Sequence, residues 1–463
     1  MSHATVTDLY EASMALSYLR EGMTRDATFS LFVRDLPPGR GFLVSAGLEP
    51  VLDFLTDFRV TSDDARDFAA ALGCPPHEVG PLVGLGFDGE VRAVPEGRMV
   101  LPGEPLLEVT APLPQAQLVE TWLLGQVSHQ TTVASKAARC VLAAAGRPVV
   151  DFSLRRGHGP EAGMQTARVG AMVGFDGTSN VAASLKFGLR ASGTMAHSYI
   201  EAFGDEEAAF TAYARSRAGP VTFLVDTYDT ADGVVTAARV LNTLPRGPGS
   251  AIRLDSGDLA GLARRSRAIL DAAGLPDVAI IASGGLDEYG VDRLVRSGAP
   301  IDVYAVGTKV GTSSDAPYLD SAYKLVEYDG RPVMKLSAAK VTAPGRKQVL
   351  RGEGLDDVIT LADEDVPGGR EPLLRRVMSG GRRTGPPDTL AAAHDRFTGD
   401  LAAVPGHALR IQDPEPPVAA VSARLSALTS HVRRRLEKGV EERREERAGP
   451  DAGPPDDRPR EEP

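Results

Sequence analysis

Gly193-Thr194-Met195-Ala196-His197-Ser198-Tyr199 places a glycine, a hydroxyl and a lone histidine at one junction. There a short apolar segment, Phe187 to Ala191, gives way to a helical pattern running from His197 to Tyr213. Backbone N–H groups at a helix start point outward and attract anions. A histidine in that place is either a phosphate contact or a nucleophile that takes a phosphoryl group itself. The residue types alone leave both roles open. Among the other seven histidines, His158 lies in an arginine-rich loop and suits a ligand contact. His129 lies in a helical pattern and suits packing or capping. His77 follows two prolines, and His3, His394, His407 and His431 fall in terminal or polar segments.

A second group of polar residues follows a series of short apolar runs. Phe152 leads into Ser153-Leu154-Arg155-Arg156-Gly157-His158, and Val225 leads into Asp226-Thr227-Tyr228-Asp229. Ile252 leads into Arg253-Leu254-Asp255-Ser256-Gly257-Asp258. Ser283-Gly284-Gly285 and Gly307-Thr308 end the last two runs, and two such glycine turns one unit apart suit a sugar phosphate held by backbone N–H groups. A tight turn alone would explain either one. Arg155, Arg156 and Arg253 point to a polyanionic or carboxylate ligand, which guanidinium binds bidentately. Asp226 and Asp255 suit Mg²⁺ or ribose hydroxyls. Asp255 and Asp258 could alternatively cap the following helix, a reading that suits Asp258 equally well. Lys309 reads as a phosphate contact rather than a Schiff-base lysine, which argues against a barrel aldolase or isomerase.

The elements that must hold these residues divide the chain into five parts. Residues 1–113 read as a β-rich N-terminal domain with a leading helix over 8–23 that carries Tyr10. In it the pattern predicts a hairpin, TFSLFVRDL–PPGR–GFLVSAG, and a helix over 49–72. Residues 114–147 read as linking helices. Residues 148–330 alternate strand and helix, with strand starts at 221, 251, 278 and 302. That spacing of about 30 residues or fewer is the repeat of βα units, so an irregular TIM-type α/β barrel is expected. YKLVEYDGRPVMKL predicts a hairpin with a type I′ turn at Asp329-Gly330. Residues 331–436 read as C-terminal segments packing back on the domains, with a last helix over about 418–436. The charged segment 437–463 has almost no apolar surface to bury, so disorder is expected.

Composition narrows the classes. Hydrophobic residues make up 42% of the 463, aromatic residues only 5%, so the core must be aliphatic. A net charge of -11 argues against a nucleic-acid or anionic-membrane partner. Two cysteines, Cys74 and Cys140, allow neither a disulfide framework nor a cysteine-rich zinc site. The first 23 residues hold acidic groups and no long apolar run, and no window approaches a membrane span, so a cytoplasmic protein is expected.

Seven segments in order resemble the nicotinate phosphoribosyltransferase family of type II phosphoribosyltransferases. They are TDLYEASMALSY, FSLRRGHGP, GFDGTSNVAAS, SGTMAHSYIEAF, IRLDSGDL, ASGGLDE and VGTKVGTSSDAPYLDSAYKLVE. The resemblance implies a β-rich domain on an irregular α/β barrel and a homodimer with shared active sites. It implies formation of nicotinate mononucleotide and pyrophosphate from nicotinate and phosphoribosyl pyrophosphate, in NAD salvage. ATP would be a co-substrate, hydrolysed through a phosphohistidine, with Mg²⁺ bound alongside pyrophosphate or ATP and no dedicated protein metal site. By the same resemblance His197 is the phosphorylated residue and Thr194 a nicotinate contact. Tyr10 stacks near the ring from the neighbouring subunit. Arg253 faces the substrate carboxylate or phosphate, and Asp255 stands near ribose and metal. Gly307 and Thr308 form the ribose-phosphate site beside Ser283, Gly284 and Gly285. Arg155 and Arg156 match a paired arginine, after which Gly157-His158 departs from an expected Ala-Gln. The alternatives are a nicotinamide phosphoribosyltransferase or a non-catalytic nucleotide-sensing relative. A quinolinate phosphoribosyltransferase fits less well, because that family lacks the phosphohistidine segment.

Overall fold

The computed structural model describes residues 3–244, 249–336 and 342–448. Six short strands form one parallel sheet in the order Gly177–Thr178, Val149–Asp151, Val303–Val306, Ala279–Ala282, Ala251–Leu254, Thr222–Leu224. Followed around, this is chain order with a single break, between the second strand (Gly177–Thr178) and the third (Thr222–Leu224). The sheet is therefore a partial α/β barrel, in agreement with the expected class. Its strands are largely buried and aliphatic, as strands covered on both faces must be. The second strand, only two residues long, has no counterpart in the sequence reading.

The segment carrying His197 lies at the break. Ala191 makes a parallel bridge to Thr178, and the Ser192 N–H donates to the Thr178 carbonyl at 2.9 Å. The expected leading strand, Phe187 to Ala191, is thus reduced to this bridge, because Phe187 closes a helix, Val181–Phe187, capped by left-handed Gly188. The expected long helix from His197 to Tyr213 is two helices, His197–Phe203 and Glu206–Arg215, split at Gly204 with φ 69°. Tyr199 packs against Phe203 and Tyr213 to hold the pair together.

The other large sheet has seven strands, ordered Arg331–Pro332, Ser321–Tyr328, Asp26–Val33, Pro105–Pro112, Glu90–Ala93, Arg375–Ser379, Arg382–Arg383. C-terminal segments therefore complete the N-terminal domain. The expected hairpin after residue 26 does not form. Asp26–Val33 lies between Pro105–Pro112 and Ser321–Tyr328, while Leu43–Val44 pairs with Met99–Val100. Seven of the eight residues of Asp26–Val33 are buried, as suits a central strand rather than one arm of an exposed ribbon. The Asp329-Gly330 hairpin forms as expected, with φ 50° and 69° at the turn. The helix expected over 49–72 breaks into Leu48–Asp57 and Ser62–Leu72, because Thr61 and Asp64 form a reciprocal capping box. The last helix runs Ala423–Ala448, so the charged stretch after Leu436 is helical as far as Ala448. Glu, Arg, Lys and Ala are good helix formers, and Lys438 pairs with Glu442 one turn on. Residues 449–463 of the expected disordered tail lie outside the described residues. Among the described residues no helix is long and apolar enough to cross a membrane.

Asp400, on the helix Leu390–Ala403, ties these parts together. It accepts from Arg98 Nε at 2.9 Å, from Arg351 Nη1 at 2.9 Å and from the Met99 N–H at 2.8 Å. Asp400→Ala would leave Arg98 with Glu371 and Arg351 with Asp357 but remove one charged partner from each and the acceptor of the Met99 N–H, so a loss of about 1–3 kcal/mol is expected in denaturant unfolding. A loss typical of an exposed pair, under about 1 kcal/mol, would contradict this.

Glu11, in the first turn of the helix Leu9–Arg20, is fully buried. Burial pushes its carboxyl up to about 7, against hydrogen bonds from Thr121 and Thr7 that favour the ionised form. The folded state then binds more protons than the unfolded one between about 4.5 and 7. Stability from this group is therefore full below 4.5 and is lost as pH rises through 7. Melting temperature should fall over that range, and Glu11→Gln should flatten the fall. An unchanged profile in the variant would remove Glu11 as its cause.

Candidate active site

Arg253 stands inside the fourth barrel strand, Ala251–Leu254, and is buried. Its Nε donates to Ser283 Oγ at 2.8 Å, Nη1 to Thr194 Oγ1 at 2.9 Å and Nη2 to Asp255 Oδ1 at 2.7 Å. A longer contact at 3.5 Å reaches the Met195 carbonyl, and the Phe152 ring lies 5.5 Å from the guanidinium carbon. These contacts use most of the five donors of the group. Arg253 thus braces the rim.

Asp255 is drawn into the same network. Ser283 Oγ donates to its Oδ1 at 2.5 Å, and His197 Nε2 lies 3.8 Å from its Oδ2. Burial alone would raise this carboxyl, but the bonds from Ser283 and Arg253 and the nearby charges of Arg253 and His197 outweigh it and hold it below the usual range. His197 Nδ1 lies 3.2 Å from Thr227 Oγ1. Asp226 Oδ2 accepts from the Asp255 N–H at 2.9 Å and from Ser256 Oγ at 3.0 Å. Its Oδ1 is buried with no hydrogen-bond partner among the described residues.

A cavity of about 350 Å³ opens over this network, lined by Arg155, Thr194, His197, Arg253 and Asp255 together with Phe152, Ser179 and Leu224. The structure thus gathers Thr194, His197, Arg253, Asp255 and Arg155 in one place. Arg156 is exposed on the same turn, Leu154–Arg156, outside that lining. The Ser283 hydroxyl faces inward to Arg253 and Asp255. Gly284, with φ 89°, passes so close to the preceding strand end that a Cβ would stand 1.7 Å from the Asp255 carbonyl oxygen. Gly285 also has positive φ, and a Cβ at Gly307 would stand 3.0 Å from the Phe152 carbonyl oxygen. Thr308 is exposed at the start of the helix Thr308–Gly311. Lys309 is paired with Asp287 at 2.8 Å, and Asp258 caps the helix Leu259–Ala272 through the Gly261 N–H.

Tyr10 is 46% exposed on its helix and lies outside the cavity lining of its own chain. His129 Nε2 is buried without a hydrogen-bond partner among the described residues, and burial followed by the proximity of His158 pushes that ring down. The sequence reading missed Thr227 as the partner of His197 and Phe152 as the face under Arg253. Phe152 directly follows the strand Val149–Asp151 and Thr227 lies just beyond Thr222–Leu224, which was the available signal.

Residues 5–128 match the family model described as nicotinate phosphoribosyltransferase (NAPRTase) N-terminal domain. Nicotinate phosphoribosyltransferase pncB2 of Mycobacterium tuberculosis is 45% identical over 418 residues, covering 89% of each chain. The chain belongs to the nicotinate phosphoribosyltransferase family. The human nicotinate phosphoribosyltransferase is 32% identical over 92% of this chain and 96% of its own. A crystal structure of the human enzyme superposes with a TM-score of 0.81 at 30% identity, covering 92% of this chain and 99% of that one.

In this family member Gly284 is required by contact and not only by conformation. Gly284→Ala should displace the Asp255 turn, and a shift of about 1 Å at a reacting site lowers turnover on the order of 100-fold. Steady-state kinetics measure it; near-normal turnover would refute the contact argument.

Proposed function

We propose that this chain is a nicotinate phosphoribosyltransferase of NAD salvage whose reaction is coupled to ATP hydrolysis through phosphorylation of His197. The observation that carries this reading is the Arg253–Asp255–Thr194 network set beside His197 in one cavity, in a chain 45% identical to a named member of the family. The pyridine nitrogen of nicotinate attacks C1 of the ribose. The C1–oxygen bond breaks, pyrophosphate leaves with the electron pair, and no proton need move. The protein's tasks are alignment and charge neutralisation.

Thr194, fixed by Arg253, lies where the base would sit. The exposed guanidinium of Arg155 and the Arg253 brace present positive charge toward the nicotinate carboxylate or the phosphates, which favours nicotinate over the uncharged nicotinamide. The turns at Ser283–Gly285 and Gly307–Thr308 would take the 5′-phosphate on backbone N–H groups, with Ser283 supporting from inside. The unpartnered Asp226 Oδ1 and the outward Asp255 Oδ2 fit a hard cation, so these two would hold Mg²⁺ together with ligand oxygens. Bound there, Mg²⁺ would neutralise charge on the departing pyrophosphate. A ring nitrogen of His197 attacks the terminal phosphoryl group of ATP and releases ADP, and water later takes that group as inorganic phosphate.

A homodimer follows from the same reading. Tyr10 and Leu9 are exposed, as are Val181 and Leu185 on the helix that begins two residues after the cavity residue Ser179. A second copy would cover these apolar groups and bring its Tyr10 to the base. Two free cysteines fit a cytoplasmic enzyme.

Turnover with each base tests the substrate. Nicotinate should be converted and nicotinamide should be a poor substrate; the reverse would overturn the assignment. Intact-mass measurement after incubation with ATP should show one added phosphoryl group, absent in His197→Ala. If His197→Ala keeps both ATP stimulation and the added mass, the coupling proposal fails.

A further inference from the structure

Behind the two glycine turns lies a buried group of charges that the transfer chemistry does not use. Glu288 begins the helix Glu288–Arg296 shortly after Gly285, and Asp315 follows the helix Thr308–Gly311. Each carboxylate is therefore tied by a few residues of backbone to one of the turns. Lys136, on the long helix Glu120–Ala143, reaches both: it forms a close ion pair with Glu288 and lies 2.7 Å from Asp315. Arg40 also reaches both, Glu288 at 3.3 Å and Asp315 at 2.7 Å. Arg139 pairs with Glu288 at 3.1 Å. The side chains of Lys136 and Glu288 are fully buried.

Buried ion pairs are a poor source of stability, because desolvation offsets most of the attraction and apolar side chains of the same volume do as well. What such a group does supply is a fixed geometry. Lys136 and Arg40 each span the two carboxylates, so the spacing between the turns is set by cations bound to both. Three cations, Arg40, Lys136 and Arg139, face Glu288 and Asp315, while the neighbouring Asp287, which also feels the charge of Lys136, is paired with Lys309. Burial alone would push Lys136 down, yet Glu288 and Asp315 hold it above its usual range, so it stays charged.

We propose that Lys136 is a positioning residue for the 5′-phosphate of the phosphoribosyl donor: by bridging Glu288 and Asp315 it fixes the separation of the Ser283–Gly285 and Gly307–Thr308 turns. This rests on the reading that those turns hold the phosphate. Lys136 itself touches no ligand.

The test uses steady-state kinetics of the full chain for wild type, Lys136→Met, Lys136→Arg and Asp315→Asn, with melting temperatures alongside. Lys136→Met should raise KM for phosphoribosyl pyrophosphate by about tenfold or more while KM for nicotinate stays within about twofold. Lys136→Arg, which keeps the charge and can still span two carboxylates, should recover most of that loss. Asp315→Asn is the milder variant and decides the question if Lys136→Met does not fold; it should shift the same constant in the same direction. Lowered melting temperatures with unchanged KM for phosphoribosyl pyrophosphate would overturn the proposal and leave Lys136 a purely structural group. Thr308→Pro, which removes the backbone N–H at the first position of its helix, where proline is tolerated, separates the two readings. If it leaves KM for phosphoribosyl pyrophosphate unchanged, the turns are not the phosphate site and the underlying reading fails. If it raises that KM while the Lys136 variants do not, only the positioning role fails.

Discussion

The buried guanidinium of Arg253 is the constraint on which the barrel rim depends. A buried charge costs several kcal/mol unless it is paired and hydrogen-bonded on every side. Its partners come from three separate places: Ser283 after the fifth strand, Asp255 after its own strand, and Thr194 in the segment at the barrel's break. Satisfying one cation therefore fixes three loops. It also explains why the Ser283 hydroxyl turns inward and why Asp255 remains ionised although half-buried. The barrel is hydrogen-bonded along five strand pairs and open at one. Arg253 reaches across toward the opening through Thr194, so the polar network does there what ladder bonds do elsewhere.

A second set of constraints comes from chain connectivity. The N-terminal sheet takes Asp26–Val33 as a central strand but pairs one of its edges with Ser321–Tyr328, after the whole barrel has been traversed. Arg375–Ser379 then adds to the far side of the same sheet. The chain thus encloses the barrel between two passes through one sheet. The long helix Glu120–Ala143 runs between the two bodies and carries Lys136 and Arg139 to the back of the phosphate turns. A rigid helix can transmit such placement, because its side chains keep fixed spacing along one face.

What could be read from the sequence follows from how local each signal is. The βα repeat was legible because each unit closes within about 30 residues and its strands are short β-branched runs. The Asp329-Gly330 turn was legible because positive φ at two successive residues selects those types. The pairing of Asp26–Val33 was not, since nothing in the residues near it names a partner almost 300 positions away. The break in the helix after Asp57 did have a local signal, Thr61 with Asp64, hidden inside an amphipathic run. The charged helix beyond Leu436 lacks an apolar face, so periodicity missed what residue propensity supports. In the site, residue types at strand ends singled out Arg253 and Asp255, and the Gly193–Tyr199 junction singled out Thr194 and His197; the structure gathers the four around one cavity. The direction of a hydroxyl is not encoded in its position along the chain, and so the inward turn of Ser283 and the role of Thr227 required coordinates. Tyr10 marks a different limit: its own chain does not bring it to the cavity.

The spacing of His197 and Asp255 gives the proposed ATP coupling a physical form. The imidazole Nε2 and the carboxylate Oδ2 lie 3.8 Å apart, an arrangement that attracts when the ring is protonated. A phosphoryl group on His197 would bring a second, larger negative charge to the edge of the same cavity. Two unit charges at about 4 Å near a protein surface repel by about 4 kcal/mol, and less where solvent reaches them, as it does at His197. The guanidinium of Arg253 is already committed to Asp255, so it cannot neutralise the newcomer without loosening its hold. Relief must come from Arg155, which stands exposed at the cavity, or from a cation arriving with the donor's pyrophosphate. Either way, a phosphorylated His197 would leave negative charge at the cavity edge that a divalent cation would quench. Under the proposed coupling, phosphorylation would favour entry of the donor's cation rather than of the donor's own phosphates, which the arginines of the cavity would still have to meet.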